Sequence, residues 1–244
     1  DAQGDGAAGP IELVPTLTYG YGDWSVSFRV AGPSGSYVLK GISDFLAHMR
    51  SGETFSYGKR LSFPHVPEAL SERSRKLAGF LERAEEARRQ SSEWRMRRMG
   101  GDIERDLALS SGELVELLDI LDGAAFDVQG SDAGTRALTH ARVDGGEPRL
   151  DIVFIPAEGG YSIEVAQRAV LIRSGARMYL WEDDAFRRCP AAWAGCADLL
   201  ELLFDREAEP PFIASGDLPL FCATLLPRME KALGVAAPPE LEAL

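Results

Sequence analysis

Apolar and polar residues alternate over two stretches near the start of the chain, 12–19 and 24–30. Alternation at this length is typical of half-buried strands, and Gly20 and Gly22 between the stretches permit a tight turn. The chain is therefore predicted to open with a hairpin. Further strands in this half are predicted at 36–40, 54–57 and 60–63.

Apolar residues recur at helical spacing in three segments of the same half. The first and third predict short helices, and the second predicts a long one. Beyond Ala84 charge replaces the apolar stripe of the long helix, so residues 85–98 are interpreted as an exposed continuation. The predicted boundaries are Ser43 as cap and Gly52 as end of the first helix, Pro67 and Glu68 as start of the second, and Ser110 or Ser111 as start of the third.

The second half repeats this mixture of strands and helices. Residues 130–147 are rich in Gly and Asp and predict either a loop or a weak edge strand. Pro227 is predicted to bend or break the last helix. Strands are predicted at 124–129, 149–155, 161–165, 168–173, 177–182 and 211–214, and helices near 196–205 and over 217–233.

This order of elements predicts an α+β fold of mainly antiparallel sheets covered by helices. The chain divides into a flexible lead-in over 1–11, an α+β half over 12–122, a second α+β half over 123–235 and a Pro-rich linker over 236–244. The 45% of hydrophobic residues is enough to build a core in each half.

The two halves show a faint internal similarity. The segment Gly22–Ser27 aligns with 159–164 at an offset of 137 residues, and Leu13 then falls on Leu150. One interpretation is a duplicated β-β-β-α-β-α unit. The other is that two α+β units share this order by chance. Different strand orders in the two halves would contradict duplication.

The charge is unevenly distributed along the chain. The net charge of −12 argues against a surface designed throughout to coat DNA, because phosphate binding relies on Lys and Arg. Ten of the 26 basic residues nevertheless lie between residues 73 and 105. Two interpretations are open for this basic stretch. Either its cations contact phosphates while an aromatic ring stacks beside them, or it is a solvated helical arm whose Arg residues pair with Glu82, Glu85, Glu86 and Glu93. The DNA-contact candidates are Arg88, Arg89, Trp94, Arg95, Arg97 and Arg98.

No arrangement of residues indicates catalysis or a structural metal. The phosphate-binding loop, the dinucleotide fingerprint and the nucleophile elbow are all missing from the sequence. The three cysteines form no close pair and the three histidines are scattered, so zinc binding is not predicted and buried, inert cysteines are expected. His65 is interpreted as a hydrogen-bonded or helix-capping residue, and the acidic run 182–184 as a solvated hairpin turn. An odd, sparse cysteine count favours reduced thiols in the cytoplasm.

Several short motifs carry a resemblance to a known family. They are made of strand and turn residues rather than catalytic ones, and they include Tyr21, Gly22, Asp23 and Trp24 in the first hairpin and Tyr57, Gly58, Lys59 and His65 further on. With similar segments near 37–45, 74–81 and 179–189, the chain resembles the helicase-associated accessory domain of bacterial SWI/SNF-family helicases from about residue 12 onward.

The resemblance implies a non-catalytic, cytoplasmic and monomeric domain, associated with the nucleoid through a longer polypeptide. Its first partner would be the motor domain of that polypeptide, which would hydrolyse ATP with Mg, and its second partner double-stranded DNA. No cofactor and no membrane partner are expected for this stretch itself. The domain would position DNA or restrain the motor lobes. The alternative is a protein-interaction module that recruits a partner to the helicase, and an independent small-molecule enzyme ranks last because no catalytic residues converge.

Overall fold

The computed structural model describes residues 9–90, 104–130, 137–205 and 208–242. Within them the fold is mixed α+β with mainly antiparallel sheets, as predicted. The chain forms two compact units, unit 1 over residues 1–142 and unit 2 over 143–244. The boundary drawn from the sequence, between 122 and 123, falls inside unit 1.

Unit 1 contains a sheet whose apolar face is covered by helices, and a separate two-stranded hairpin over 54–64. Its strands are β1 (Glu12–Gly20), β2 (Asp23–Gly32), β3 (Gly35–Val38), β4 (Thr54–Tyr57), β5 (Leu61–Pro64), β6 (Leu107–Leu109), β7 (Ala125–Gly130) and β8 (Ala137–Asp144). Its helices are α1 (Ile42–Ser51), α2 (Glu72–Gln90) and α3 (Ser111–Ile120), with a 3-10 turn over Pro67–Ala69.

Strand β1 is at the centre of the unit 1 sheet. It pairs antiparallel with β2 along its whole length and parallel with β7, which in turn pairs antiparallel with β8. The alternation seen in the sequence places Leu17, Val26 and Phe28 on the buried face. Helix α2 packs on that face, and the Ser74 hydroxyl accepts a hydrogen bond from the Leu13 backbone N–H at 2.8 Å.

The helix boundaries agree with the sequence where a capping residue decides them. Ser110 forms a reciprocal capping box with Glu113 at the start of α3, and Gly52 ends α1 at φ 69°. Ser43 does not cap α1, because the helix already begins at Ile42 and its N-cap position is Gly41. Pro67 opens only the 3-10 turn, and α2 begins after it.

Unit 2 contains a three-stranded sheet, a three-stranded meander and a group of short helices. Strands β9 (Ile152–Ala157), β10 (Gly160–Val165) and β14 (Phe212–Ala214) form one antiparallel sheet, and β11 (Val170–Ser174), β12 (Arg177–Glu182) and β13 (Ala185–Arg188) pair in sequence as a meander. The helices are α4 (Ala197–Phe204), α5 (Leu218–Thr224), α6 (Leu226–Leu233) and α7 (Pro239–Glu242), with a 3-10 helix over Ala191–Cys196.

The structure decides several details of the second half. For 130–147 the sequence left a loop and a weak edge strand open, and strand β8 forms there over Ala137–Asp144. Within 236–244, which the sequence analysis interpreted as a linker, Leu241 is 2% exposed in the core of unit 2. Pro227 does break the last helix, since α5 ends before it and α6 has it in the first turn. Glu182, Asp183 and Asp184 form the β12–β13 turn, with positive φ at both aspartates.

The duplication is contradicted beyond one hairpin. The β1–β2 and β9–β10 hairpins do correspond, because Tyr19 pairs with Trp24 just as Pro156 pairs with Tyr161 at the predicted offset. The next elements diverge. Strand β2 has β3 as its neighbour, whereas β10 has β14 from much later in the chain. Helix α1 falls at this offset on the β12–β13 hairpin, so the strand orders differ.

Candidate functional site

A pocket of about 450 Å³ opens in unit 1 between the end of β3, the first turns of α1 and strand β4. Its lining is largely aromatic and aliphatic, with a few polar groups at the mouth, which is the usual composition of a binding pocket. The residues that line it are Tyr37, Val38, Leu39, Lys40, Gly41, Asp44, Phe45, His48, Phe55, Ser56, Tyr57 and Gly58.

The β4–β5 hairpin supplies one wall of this pocket through a cluster of rings. Phe63 stacks on His65 with the ring centroids 4.3 Å apart, and Tyr57 stacks on Phe63 at 5.7 Å. His48 reaches the cluster from α1 and stacks on Phe55 at 4.2 Å. Phe55 and Tyr57 are two residues apart on β4, so their side chains lie on the same face. The antiparallel pairing of β4 with β5 then brings them close to the rings of β5.

His65 lies at the centre of the ring cluster and is fully buried. Its Nε2 atom is 2.8 Å from the Tyr57 hydroxyl, and its Nδ1 atom has no hydrogen-bond partner among the described residues. Burial lowers the pKa of His65 below 6.5, and the nearby His48 lowers it further, while backbone groups of Phe63 and Glu53 partly oppose this. The imidazole is therefore neutral near pH 7.

Tyr57, the hydrogen-bond partner of His65, is also held in its neutral form. Burial raises the pKa of Tyr57 above its usual value, so the phenol keeps its proton. Tyr57 and His65 thus form a neutral hydrogen-bonded pair that fixes both rings in place. This confirms the expectation of a hydrogen-bonded His65, and the pair orients the pocket wall rather than supplying a charged base.

Gly58 lines the pocket and lies close to the ring of Tyr37. Its φ is +60°, and a Cβ atom built on it would lie 2.6 Å from a Tyr37 ring carbon. Only glycine fits both the left-handed backbone and this close approach. Lys59 follows Gly58 in the same turn and is exposed. Of these motif residues, Tyr57 and Gly58 line the pocket, Lys59 follows them in the turn, and His65 is hydrogen-bonded to Tyr57.

The mouth of the pocket exposes apolar side chains beside single charges. Val38 is 41% exposed and Phe55 is 39% exposed, although both are large hydrophobic residues. Lys40 and Asp44 are also exposed at the mouth. The pocket can therefore accept an apolar or aromatic group and meet polar groups next to it.

The other motif residues form the β1–β2 turn. Tyr21 and Gly22 occupy the turn with φ of 54° and 83°, and the Tyr21 side chain is 97% exposed. Asp23 pairs with Gly20 at the end of the ladder, and Trp24 is buried against Tyr19 with ring centroids 4.7 Å apart. These residues lie outside the pocket lining, and their geometry accounts for a tight hairpin turn.

Arg88 makes contacts within the fold that the sequence did not indicate. Its guanidinium donates to both carboxylate oxygens of Glu113 in α3, at 2.5 and 3.2 Å, and to the backbone oxygens of Ala84 and Ala108. Burial alone would raise the pKa of Glu113, but hydrogen bonds from Arg88 and from Ser110 outweigh it and hold the pKa below its usual value. Arg88 is thereby used within the fold.

The other DNA-contact candidates divide into two groups. Arg89 donates to Glu85 at 2.8 Å, and the same carboxylate pairs with Arg50 of α1. Glu85 is almost completely buried between these two guanidinium groups. The pairing of Arg89 with Glu85 follows the helical-arm interpretation. The candidates Trp94, Arg95, Arg97 and Arg98 lie outside the described residues.

The cysteines are free thiols, and two of the three are buried. Cys189 and Cys196 are buried in unit 2, as expected, and Cys222 is half-buried. Burial raises the pKa of the Cys189 thiol to about 12, so it stays protonated. No group of three or more His, Cys, Asp and Glu side chains within the described ranges could hold a metal ion. Across the same part of the chain, no helix combines the length and apolar character needed to cross a bilayer.

The proximity of His48 to His65 is a feature of the candidate site that sequence reasoning missed. Their ring centroids are 5.4 Å apart although the residues come from α1 and from the end of β5. No spacing signal links them, because a helix and a separate hairpin bring them together.

Comparison of the chain with protein-family models, with curated proteins and with solved structures finds no match.

Proposed function

We propose that this chain is a non-catalytic accessory domain of a SWI/SNF-type DNA-dependent ATPase, and that unit 1 presents the basic stretch 94–98 to duplex DNA. The observation that carries this proposal is the contact from Arg88 to Ala108. Arg88 precedes residues 91–103 and Ala108 follows them, so this hydrogen bond joins described residues on the two sides of that stretch.

The charge of the stretch supports phosphate contact. Arg95, Arg97 and Arg98 lie within four positions, and Glu93 and Asp102 are the only acidic residues of 91–103. Arg88 and Arg89, by contrast, already have carboxylate partners within unit 1. The contact is therefore assigned to the three later arginines, with Trp94 beside them to stack or insert.

The test compares two triple charge reversals in binding to labelled duplex DNA at several salt concentrations. Changing Arg95, Arg97 and Arg98 to Glu is expected to abolish salt-sensitive binding, and each lost phosphate contact lowers the slope of log K against log salt by about 0.9. The matched control changes Arg73, Arg75 and Lys76, three exposed cations near the start of α2, to Glu. Equal loss in both variants, or no binding by the parent chain even at low salt, would contradict the proposal.

A second candidate function is a protein-interaction module that recruits a partner to the ATPase. The observation that favours it is the exposure of Val38 and Phe55 at the mouth of the aromatic pocket. Exposed apolar residues around a concave site are typical of protein contact surfaces. This function predicts that the pocket, and not the basic stretch, determines partner binding.

A further inference from the structure

The outer edge of β3 has backbone groups without partners. Among the described strands β3 pairs only with β2, and the Leu39 N–H donates to the Phe28 carbonyl at 2.9 Å just beyond it. Hydrogen-bonded and non-hydrogen-bonded pairs alternate along an antiparallel ladder. The N–H and C=O groups of Ser36 and Val38 therefore point away from β2, and no backbone hydrogen bond to another described residue satisfies them.

The aromatic pocket lies directly along this free edge. Val38 belongs to both, since it ends β3 and lines the pocket, and Phe55 stands on the opposite wall. An extended segment that paired with the edge would place alternate side chains on the same side as the pocket. One side chain of such a segment could then enter the aromatic lining while its backbone paired with Ser36 and Val38.

The charges around the pocket are opposite in sign to the chain as a whole. Lys40 at the mouth and Lys59 and Arg60 in the β4–β5 turn are exposed cations, against the single carboxylate of Asp44 in the lining. The whole chain carries −12. A local excess of positive charge on an acidic protein favours an acidic ligand at this place.

We propose that the outer edge of β3 and the adjoining aromatic pocket bind an extended acidic peptide segment of a partner protein by strand addition. An aromatic or branched aliphatic side chain of the segment fills the pocket, and its acidic residues face Lys40, Lys59 and Arg60. The peptide site rests on the second candidate function and does not depend on DNA contact by residues 94–98. With only two outward-facing residues on the edge, the affinity is expected to be on the order of 10–100 µM.

The first experiment selects ligands from a displayed library of random eight-residue peptides on the intact chain. The expected result is enrichment of peptides with several Asp or Glu residues and one aromatic, Leu or Ile residue. Enrichment of basic peptides, or no enrichment over a blank surface, would overturn the proposal. The most enriched sequence, made synthetically with a fluorescent label, is then the probe for the variants below.

A pair of substitutions at Val38 separates strand addition from simple apolar contact. Val38→Pro removes the outward N–H without touching a bond to β2, and an edge strand tolerates proline at such a position. It is expected to weaken probe binding by about tenfold or more, since it removes one backbone hydrogen bond and blocks close approach. Val38→Thr keeps the N–H and the branched shape and should stay within about threefold. Equal binding by both variants overturns strand addition.

Two further variants test the pocket and the charge. Phe55→Ala removes an exposed wall of the pocket and is expected to weaken the probe by about fivefold or more. The double change Lys59→Glu and Arg60→Glu should weaken it and invert its salt dependence. The matched control, Arg73→Glu with Arg75→Glu on α2, should leave the probe unaffected. Circular dichroism of each variant checks that unit 1 is folded, and unchanged binding in Phe55→Ala would contradict the pocket assignment.

A second copy of the chain is the competing occupant of the edge. Analytical ultracentrifugation of the parent chain and of Val38→Pro tests it. Self-association that Val38→Pro abolishes would identify the second copy as occupant and overturn the partner peptide. DNA binding by Val38→Pro should equal that of the parent chain. Loss of peptide binding with DNA binding intact therefore separates failure of the peptide site from failure of the proposed DNA contact.

Discussion

Helix α2 and the β4–β5 hairpin, both in unit 1, accommodate their buried polar groups in opposite ways. The helix neutralises charge by pairing it, as Arg88 does with Glu113 and Arg89 with Glu85. In the hairpin, the buried His65 and Tyr57 are both kept neutral and share one hydrogen bond. The basic residues that attract attention in the sequence are therefore partly used in holding helices together. The aromatic residues that suggest only strands instead shape the pocket.

The largest expected effect on stability lies in the hairpin. Phe63→Ala removes a buried ring that stacks on His65 and Tyr57, and it should lower the free energy of unfolding by about 3–5 kcal/mol. Phe55→Ala in the facing strand is the control, because its side chain is already 39% exposed, and it should lose no more than about 1 kcal/mol. Urea denaturation of both variants measures the difference. Similar losses would show that the hairpin does not bury the ring cluster as described.

The next effect tests the paired charges of the helix. Glu85→Ala leaves Arg50 and Arg89 without their shared carboxylate, but both guanidinium groups are about two-fifths exposed and can turn to water. The loss in unfolding free energy should therefore be about 1–2 kcal/mol, below the value for a fully buried pair. Glu72→Ala is the control, since its pair with Lys76 is exposed on the same helix. A loss at Glu72 as large as at Glu85 would contradict the distinction.

A smaller and local effect is expected at Arg88. Arg88→Met keeps the length of the side chain but cannot join α2 to Glu113 and Ala108. Amide hydrogen exchange should increase in β6 and in the first turn of α3, while β1 and β2 stay protected. Mass spectrometry of exchanged peptides gives this readout. Arg83→Met, which removes a pair with Glu116 further along α3, is the control that should leave β6 unchanged.

The smallest effect concerns pH. Because the pKa of His65 is lowered in the folded state, the unfolded chain binds the proton first as pH falls below 6.5. The stability that this neutral histidine contributes is complete above that value and is lost as pH falls toward the lower, folded pKa. His65→Gln should flatten the decline in unfolding free energy between pH 7 and pH 5. An unchanged slope in His65→Gln would contradict the lowered pKa.

Sequence patterns predicted elements wherever local chemistry alone specifies them. The helix start at Ser110, the break at Pro227 and the β1–β2 hairpin are examples, since each depends on residues only a few positions apart. The cap at Ser43 failed because the backbone of Ile42 instead donates to the Glu104 carbonyl, a partner from a distant segment. Strand β8 was ambiguous because a Gly- and Asp-rich sequence has weak strand preference, and pairing with β7 decided it.

The candidate site shows the same division more sharply. Tyr57, Gly58 and His65 were singled out from the sequence, yet nothing in their spacing indicated that His48 would join them. The role of Arg88 was also hidden, because a cation on a helix looks the same whether its carboxylate lies four residues away or in another helix.

The sequence by itself determined the α+β class, the tight turns at Gly22 and Gly58 and the pairing of Arg89 with Glu85 within α2, because these follow from backbone preference and periodicity over a few residues. Only the tertiary structure decided that β1 lies parallel to β7, that His65 is buried against Tyr57 and that the edge of β3 borders an aromatic pocket. Those features join segments far apart in the chain, and burial and hydrogen bonding between such segments exist only once the sheet has assembled.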